Sequence, residues 1–403
     1  MGVTHDARPA VLVVTHNYIR DAEDLSGQFI HTLITPLLDR YRMIVVAPHH
    51  AGLLTRETID GVEIVRFRYA SDAEETLAYA GNMHEQVLRS WTKRFLFLRF
   101  MRAMRRETLQ VIKREQPIAV HIHWWVPGGL AVGSAIARRR VPYILTTHGS
   151  DVTLLDKFTW LRPIARSLFR RAAAATAVSE YLKARLQVVA GVDAIVLPMP
   201  YDDKKFRPLP MPAPGTTPRV TCIGRFIERK GHTYLLDAVA LLKARGKSVE
   251  LELVGDGPLR DSLQAQVRRL DIEDVVRWTG NIPHRDIPEV IRKCHIVVMP
   301  SVRDWKGEVE GLGMVLVEAS ACGRPVIGTD LAGIKDAVVH GESGILVKPA
   351  DAEALADAIS SLVDDPDLAK KYGAFGISFA PDGFSPARQA LRLAEIIESV
   401  RGH

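Results

Sequence analysis

Short apolar runs alternate with helical patterns along the whole chain, and this feature restricts the fold more than any other. Runs of four or five mostly β-branched residues recur in both halves, separated by segments whose apolar residues repeat with a helical period. Such alternation is typical of doubly wound parallel sheets. At 403 residues the chain is long enough for two domains. The sequence therefore predicts an α/β protein with two Rossmann-like domains facing a central cleft.

A proline-rich stretch divides the sequence into two parts of similar length. Seven prolines lie between residues 198 and 218, a density that disfavours both helix and central strand. We therefore predict a first domain at 1–200, a linker at 201–218 and a second domain at 219–384. A last helical pattern at 385–403 is expected to cross back to the first domain in this fold.

The composition is that of a soluble globular protein, with 47% hydrophobic and 25% charged residues. The start of the sequence lacks the features of a signal peptide, and no run of about 18 apolar residues occurs. The three cysteines have no CxxC partner, which favours structural thiols in a reducing compartment over disulfides or zinc. These features predict a cytoplasmic protein.

Positive charge is concentrated in the first half. Residues 1–200 hold 26 Lys and Arg against 18 Asp and Glu, a net charge of +8, whereas 201–403 hold 27 against 29, a net charge of −2. The segment 89–114 alone has nine Lys or Arg against one Glu, interleaved with aromatic residues such as Trp91 and Phe95. A basic amphipathic helix of this kind favours an anionic membrane surface, although an ordinary helix packed on the sheet would share the pattern. No nucleic-acid-binding motif accompanies the charge.

The segment 295–330 contains the most specific arrangement of functional groups. A buried-strand pattern, a polar loop, Gly311, Gly313 and a short helical pattern follow one another, which places the loop where parallel sheets bind ligands. The two glycines would let a phosphate approach the start of the helix closely. Glu310 and Glu318 would repel that phosphate, but charged acceptors suit sugar hydroxyls. The alternative is that both are solvated surface residues.

A second loop of the later half is basic and follows another strand pattern. Arg225 offers a planar fork of donors for a diphosphate, and Lys230 adds a second positive charge five residues on. The alternative is a solvated basic loop. The turn at Gly255 is not a dinucleotide fingerprint, because no third glycine follows at the required spacing.

The earlier half offers two further loops at strand ends. Gly27 stands between a first strand and a helical pattern, an arrangement that can hold a phosphate. His148 and Asp151 follow another strand, a typical place for catalytic groups, although a capping Asp and a structural His would also fit. His121 and His123 alternate along a strand and so share a face, but no Cys or carboxylate at suitable spacing supports a metal site.

Four of these segments resemble one known family. EGLGMVLVEASACGRPVIGT, GRFIERKG, GDGPL and THGSD are similar to the motifs of the retaining nucleotide-sugar glycosyltransferases with the GT-B architecture. This family, of the large glycosyltransferase family 4 type, includes phosphatidylinositol mannosyltransferases, sucrose synthases and polysaccharide-assembly enzymes. The resemblance covers nearly the whole chain and is most specific in the second half.

The resemblance implies a role for each motif residue. Glu310 would contact the donor sugar and Glu318 the nucleotide ribose. Arg225 and Lys230 would neutralise the donor diphosphate, and His148 would lie beside the reacting carbon. The other donor-binding positions that the resemblance implies are Gly27, Asp151, Gly224, Gly255, Gly280, Gly311, Gly313, Met314 and Val315.

The function implied is retaining transfer of a hexosyl unit from a UDP- or GDP-sugar to an acceptor hydroxyl, on a lipid-linked or polysaccharide precursor. No Asp-x-Asp clamp is evident, so neither a metal nor another cofactor is expected. Three alternatives stay open: a sugar-nucleotide epimerase or hydrolase, a glycosyltransferase with a small-molecule acceptor, and a nucleotide-binding protein without turnover. The basic helix would place the enzyme peripherally on the inner face of the cell membrane.

Overall fold

The computed structural model describes residues 7–21, 24, 26–79, 83–212 and 217–401, apart from the side chains of residues 84, 85 and 89. It divides the chain into two units, each built on a β-sheet of its own. Unit 1 comprises Met1–Val178, Leu182–Pro200 and Gln389–His403, and unit 2 comprises Ser179–Tyr181 and Tyr201–Arg388.

The sheet of unit 1 has eight strands in the order β3-β4-β2-β1-β5-β6-β7-β8. All neighbouring strands pair in parallel except β3 and β4. Every residue of β1, β5 and β6 is buried, as expected for a parallel sheet with both faces covered. The strands are β1 (Ala10–Val14), β2 (Arg42–Pro48), β3 (Arg56–Ile59), β4 (Val62–Phe67), β5 (Ala119–His123), β6 (Tyr143–Thr147), β7 (Ala174–Ala177) and β8 (Ile195–Val196).

The helices of unit 1 lie between these strands, with short 3₁₀ turns at Thr35–Leu37 and Thr159–Leu161. The longest, α3, starts at a cap in which the Ser90 hydroxyl accepts the N–H of Lys93 at 3.5 Å. The helices are α1 (Gln28–Ile34), α2 (Met83–Arg89), α3 (Trp91–Glu115), α4 (Ser134–Ala137), α5 (Ser150–Lys157), α6 (Arg162–Arg171) and α7 (Glu180–Ala190).

The sheet of unit 2 has six strands in the order β11-β10-β9-β12-β13-β14, and all of its neighbours are parallel. The order in which strands are added reverses between β9 and β12, so this is the switch point at which such sheets bind ligands. The strands are β9 (Arg219–Ile223), β10 (Glu250–Val254), β11 (Val276–Gly280), β12 (Ile296–Met299), β13 (Val326–Thr329) and β14 (Gly344–Val347).

Helices cover both faces of this second sheet, and 3₁₀ turns occur at Glu228–Lys230 and His284–Asp286. The last helix starts in unit 2 and continues into unit 1. No helix in the described ranges is both long and apolar enough to span a bilayer. The helices are α8 (His232–Ala244), α9 (Arg260–Arg269), α10 (Ile287–Lys293), α11 (Met314–Ala321), α12 (Ile334–Ala337), α13 (Ala352–Asp364), α14 (Pro366–Phe384) and α15 (Pro386–Arg401).

The fold prediction of two doubly wound α/β sheets is confirmed, with two local corrections. The strand β3 has no counterpart in the sequence prediction, because it is short and mostly polar and pairs only at the sheet edge through the tight turn at Asp60 and Gly61, both with positive φ. The second correction is a π-helical turn within Trp125–Gly133, interrupted at Val126, whose backbone is extended with φ −130° and ψ 126°. Gly128 permits this turn, because a Cβ there would lie 2.8 Å from the carbonyl oxygen of His123.

Residues 201–212, predicted as the first part of an interdomain linker, instead belong to unit 2. Tyr201 and Phe206 are buried in its hydrophobic core. The guanidinium of Arg324, itself buried, donates to the carbonyl oxygens of Leu209 at 3.0 Å and Pro210 at 2.6 Å. The prolines prevent regular structure but do not prevent docking, because their carbonyl groups still accept hydrogen bonds. Residues 213–216 lie outside the described part of the chain.

Candidate functional site

The basic loop of unit 2 runs from the end of β9 to the start of α8. Gly231 caps that helix at φ +68°, and a Cβ there would overlap the carbonyl oxygen of Pro300 at the end of β12. Only glycine fits this approach. It allows the backbone of the basic loop to lie directly against the loop that carries Glu310, and Val302 N–H donates to the carbonyl of Arg229 at 2.9 Å.

Lys230 and Glu310, two residues predicted to act on the donor, form an ion pair. Lys230 Nζ lies 2.8 Å from Glu310 Oε2, and Arg229 Nε lies 3.8 Å from the same oxygen. Burial alone raises the pKa of Glu310, but the charges of Lys230 and Arg229 outweigh it and hold the pKa below its ordinary value. Glu310 is therefore an ionised carboxylate at neutral pH, oriented as a hydrogen-bond acceptor.

Arg225 differs from Lys230 in its surroundings. It follows β9 at the carboxyl edge of the sheet, and its side chain is exposed. Within the described ranges, its guanidinium makes no hydrogen bond or ion pair with another residue. An unpaired guanidinium at a switch point is available to an anionic ligand.

The glycines before α11 shape the other side of this site. Gly313 caps the helix at φ +80°, and a Cβ there would lie 2.8 Å from Ile334 Cδ1. The carbonyl of Gly311 lies so close to Gly333 that a Cβ on Gly333 would overlap it. Leu316 N–H donates to the Gly313 carbonyl at 2.9 Å, so the helical ladder begins after Met314 and Val315. The N–H groups of these two residues are the donors expected for a phosphate.

Three predicted glycines line up at the ends of β9, β10 and β11. Gly255 N–H donates to Gly280 O at 2.8 Å, and a Cβ on Gly255 would overlap the carbonyl of Gly224. Gly280 has φ +77° and nothing within 4 Å of its would-be Cβ, so open space adjoins it. The structure thus brings these positions together at one edge, while their contact with a nucleotide stays a prediction.

Glu318 lies inside α11 and is buried. His284 Nε2 lies 3.1 Å from its Oε1, and the Phe206 ring packs against His284 with centroids 5.1 Å apart. His284 therefore holds one carboxylate oxygen, and the other can still accept a hydroxyl. The predicted role of Glu318 on the ribose stays a prediction.

In unit 1, His148 ends β6 within a cluster of buried aromatic rings. Its Nε2 lies 2.9 Å from His123 Nδ1, and its ring stacks on Trp124 with centroids 4.1 Å apart. Trp124 has φ +62°, a strained conformation of the sort found at functional sites. Burial holds the pKa of both histidines well below its ordinary value, so both rings are neutral. His148 therefore carries no charge, and its ring has one N–H donor and one acceptor nitrogen, one of which faces His123.

The Asp151 carboxylate accepts hydrogen bonds from four backbone N–H groups. Its Oδ1 accepts the N–H groups of His148, Gly149 and Val152 at 3.0–3.1 Å, and its Oδ2 accepts that of Trp125 at 3.2 Å. Burial raises its pKa to about 6, against the effect of these bonds. The carboxylate thus fixes the loop that presents His148, and its predicted part in donor binding stays a prediction.

Gly27 caps α1 at φ +71°, and a Cβ there would overlap the carbonyl oxygen of Asn17. This glycine is therefore required by the close approach of the two loop segments. Phe29, two residues on, packs on His148 with ring centroids 5.4 Å apart. The structure accordingly brings the Gly27 loop and the His148 loop of unit 1 together.

Comparison with known proteins gives the family. Residues 26–205 match the model of Glycosyltransferase Family 4, and residues 204–378 match that of glycosyl transferases group 1. The GDP-mannose-dependent alpha-(1-6)-phosphatidylinositol monomannoside mannosyltransferase of Mycolicibacterium smegmatis is 32% identical over 290 residues, which cover 68% of this chain and 74% of that protein. The chain belongs to the family 4 glycosyltransferases.

Solved structures show the same GT-B fold for this glycosyltransferase. Sucrose-phosphate synthase from Thermosynechococcus elongatus superposes with a TM-score of 0.78 at 19% identity, covering 98% of this chain and 100% of that one. HepE from Anabaena, in complex with UDP and glucose, gives a TM-score of 0.70 at 19% identity, covering 97% and 100%. The family and the architecture inferred from the motifs are therefore confirmed.

Sequence reasoning missed Arg229 and His284 beside these motifs in this glycosyltransferase, and it considered His123 only as a metal ligand. His123 contacts His148, His284 contacts Glu318, and Arg229 lies beside Glu310. Arg229 lies within GRFIERKG, so its adjacency to Lys230 was a usable signal. The two histidines come from distant parts of the sequence, and nothing local indicates their partners.

One group in the described residues has the atoms to hold a metal: His49, Asp72 and Glu75. However, His49 Nδ1 lies 2.6 Å from Glu75 Oε2, and its Nε2 lies 2.9 Å from the Leu53 carbonyl. Both ring nitrogens therefore face protein acceptors, and a cation would have to displace one of them. The group fits a hydrogen-bonded brace better than a metal centre.

Proposed function

We propose that the protein transfers a hexosyl unit from a nucleoside diphosphate sugar to an acceptor hydroxyl, with retention of the anomeric configuration. The observation that carries this proposal is the half-buried Lys230–Glu310 ion pair, at 2.8 Å, at the switch point of unit 2. The pair joins a cation suited to a diphosphate with a carboxylate suited to sugar hydroxyls. Stability alone does not account for the pair, because replacing both members of such an ion pair by apolar residues is often neutral for folding.

The chemical difficulty is the negative charge that develops on the departing diphosphate. Arg225 and Lys230 can compensate it, and the N–H groups of Met314 and Val315 at the start of α11 add their dipoles. These groups would do the work of a divalent ion, so we propose that no metal is required. The acceptor hydroxyl loses its proton as it attacks the anomeric carbon, and we propose that the departing diphosphate oxygen takes up this proton while the neutral ring of His148 hydrogen-bonds to the reacting sugar.

Retention is supported by the arrangement of the carboxylates in unit 2. Glu310 is paired with Lys230, and Glu308 is paired with Arg229 at 3.0 Å. Each carboxylate is held by a cation and is a poor nucleophile for a covalent intermediate. We therefore propose departure and attack on the same face of the sugar.

The relatives guide the choice of substrates. One is named as GDP-mannose-dependent with a phosphatidylinositol monomannoside acceptor, and one solved neighbour binds UDP and glucose. We propose a GDP- or UDP-hexose as the donor and a lipid-linked or polysaccharide precursor as the acceptor.

A membrane surface fits the acceptor class and the shape of α3. Phe100, Met104 and Ile112 pack that helix onto unit 1, whereas Trp91 is 81% and Phe95 61% exposed near its start. Both interpretations of the sequence therefore hold for different parts of α3. Its later part packs on the sheet like an ordinary helix, whereas the side chains of Trp91 and Phe95 near its start are exposed. Exposed aromatics beside many basic residues favour an anionic lipid surface, and we propose that this end of α3 holds the enzyme peripherally on the membrane.

The test of the activity is a donor and acceptor screen with the full chain. UDP- and GDP-hexoses are incubated with phosphatidylinositol-type lipids and with oligosaccharides, with and without a chelator, and the product anomer is assigned by NMR. We expect chelator-resistant transfer with retention. Release of free sugar or of an epimer would instead support the hydrolase or epimerase alternative, and nucleotide binding without any product would support a binding protein.

The test of the membrane surface is sedimentation with vesicles that contain anionic or only zwitterionic lipids. We expect anionic vesicles to bind the protein, and the double substitution Trp91→Ser and Phe95→Ser to reduce binding at least tenfold. Val188→Ser, at an exposed apolar site on α7, is the matched control. Equal binding by all three proteins would exclude this role for α3.

A further inference from the structure

The loop between β12 and α11 is closely hydrogen-bonded at its tip. The N–H groups of five consecutive residues all donate to acceptors within the protein. Asp304 N–H bonds to Glu308 O at 3.1 Å, and Gly307 N–H to Asp304 O at 2.8 Å. The Asp304 carboxylate accepts the N–H groups of Lys306 at 2.9 Å and Glu308 at 2.8 Å. The remaining N–H, that of Trp305, bonds to Glu228 Oε1 at 3.2 Å.

Three consecutive residues of the basic loop hold this tip in place. Glu228 accepts the N–H of Trp305, Arg229 pairs with Glu308 at 3.0 Å, and Lys230 pairs with Glu310 at 2.8 Å. The two motifs proposed to hold diphosphate and hexose are therefore joined residue by residue. Whatever the tip presents has a fixed position relative to Glu310.

The tip presents an indole ring to solvent. Trp305 is 79% exposed, although its backbone is fixed. Lys306 Nζ lies 5.2 Å from its ring centroid, and no aromatic ring in the described part of the chain packs on it. An ordered loop that leaves so large an apolar face in water is prepared for a ligand with an apolar face of its own.

The chemistry of that ligand follows from the indole and its neighbours. The C–H face of a pyranose stacks on an aromatic ring while its rim hydroxyls stay available to polar groups, such as Lys306 and Glu308. An anionic lipid surface fits less well, because the loop residues 301–310 hold two basic and three acidic side chains.

We infer that Trp305 is a stacking platform for a saccharide ring next to the transfer site. This inference rests on the proposed glycosyl transfer and adds a binding residue that the family motifs do not contain. The ring is either the donor hexose held by Glu310 or the acceptor sugar beside it. Both present the same C–H face, and kinetics can distinguish them.

The experiment compares Trp305→Ala and Trp305→Phe with Trp160→Ala, which removes an equally exposed indole from unit 1. We expect Trp305→Ala to raise KM at least tenfold with kcat within twofold. A change in the acceptor KM would assign the acceptor sugar, and a change in the donor KM would assign the donor hexose. Trp305→Phe, which keeps an aromatic face, is expected to stay within threefold of the parent protein, and Trp160→Ala within twofold.

Two outcomes would overturn the inference while leaving the proposed function intact. One is active transfer in Trp305→Ala with both KM values unchanged, and the other is loss of vesicle binding in place of a change in KM. If the parent protein transfers nothing, the proposed function fails, and saccharide binding is then measured directly by titrating methyl glycosides against the fluorescence of the parent and Trp305→Ala proteins. Identical titrations would again overturn the platform.

Discussion

The two units place their candidate groups at the same position of the same kind of sheet but with opposite chemistry. In unit 2, Lys230 and Glu310 form an ion pair at the ends of β9 and β12. In unit 1, His148 and His123 form a neutral hydrogen-bonded pair at the ends of β6 and β5. The fold supplies a loop at a strand end in both cases. The side chains on the loop then determine its charge: those of unit 2 form an ion pair, whereas the buried histidines of unit 1 are neutral.

This difference fits a division of labour in the proposed transfer reaction. A departing diphosphate needs fixed positive charge, which unit 2 provides. A reacting carbon that carries partial positive charge is better served by neutral rings, and burial keeps the unit 1 histidines neutral. The comparison leads to four predictions, ordered from the largest expected effect to the smallest.

The largest effect is expected for Lys230→Ala. The substitution leaves Glu310 buried with only the more distant Arg229, and removes a positive charge from the diphosphate site. We expect kcat/KM to fall about 1000-fold, or about 4 kcal/mol. Lys243→Ala, which breaks an exposed pair with Asp274, is the matched control and is expected to stay within twofold. A loss of less than tenfold in Lys230→Ala would contradict a charged diphosphate site.

The second prediction concerns acid stability. Burial lowers the pKa of His16 to about 4 and of His121 to about 3, and holds those of His123 and His148 well below the ordinary value. As the pH falls below about 6.5, the unfolded chain binds protons that these folded rings do not bind, so the stability present above this pH is lost. Asp151 has the opposite sign, because its pKa is raised to about 6.

Four histidines against one aspartate give a net loss of stability in unit 1 between pH 7 and 5. Unit 2 contains two histidines with lowered pKa, His232 and His295. We therefore expect unit 2 to lose less stability than unit 1 over the same pH range. Hydrogen exchange of backbone amides at both pH values, analysed unit by unit, measures the difference. Equal acceleration of exchange in both units would show that the neutral cluster does not set the acid limit.

The third prediction separates chemistry from nucleotide binding. His148→Asn keeps a polar group at the end of β6 but removes the exchangeable ring proton. We expect kcat to fall about 100-fold, with the nucleotide dissociation constant within twofold because the groups that we propose to hold the nucleotide lie in unit 2. Calorimetry and initial rates provide the two values, with His50→Asn as the control in the same unit. A parallel loss of nucleotide affinity would assign His148 to binding.

The smallest effect is expected for the pair that holds the Glu310 loop. Arg229→Gln and Glu308→Gln should each lower kcat about tenfold, by loosening the loop without unfolding it. The double variant should be no worse than either single one, because the two side chains act through one contact at 3.0 Å. Additive losses in the double-mutant cycle would mean that the two residues act separately.

Much of the architecture could be predicted from the sequence, because strands buried on both faces leave strong local patterns. Ala119–His123, Tyr143–Thr147 and Gly344–Val347 are short runs of this kind in the sequence, and each is a strand in the structure. The start of α11 was readable from Gly313, since only glycine tolerates φ +80° there. The edge strand β3 and the π-helical turn left no such pattern.

The positions of the candidate site residues could be predicted from the sequence, but the contacts between them could not. Lys230 and Glu310 were each singled out, yet their ion pair depends on the parallel pairing of β9 with β12, which brings residues eighty positions apart together. The position of Asp151 was recognised, but its four backbone partners could not be, because they depend on how the loop folds over the carboxylate. The local sequence therefore indicates which functional groups are present, whereas the tertiary structure determines which of them contact each other.

The contacts of the buried Arg324 guanidinium determine where a stable fragment of the second half of the protein can begin. Its partners include the carbonyl groups of Leu209 and Pro210, well before the first strand of that sheet. A fragment that begins at Arg219 would keep every strand yet leave this cation short of acceptors, and is expected to be insoluble. A fragment that begins at Tyr201 would keep the carbonyl groups of Leu209 and Pro210, which accept hydrogen bonds from Arg324. The boundary of an isolated second half should therefore be chosen from these side-chain contacts and not from the position of the prolines.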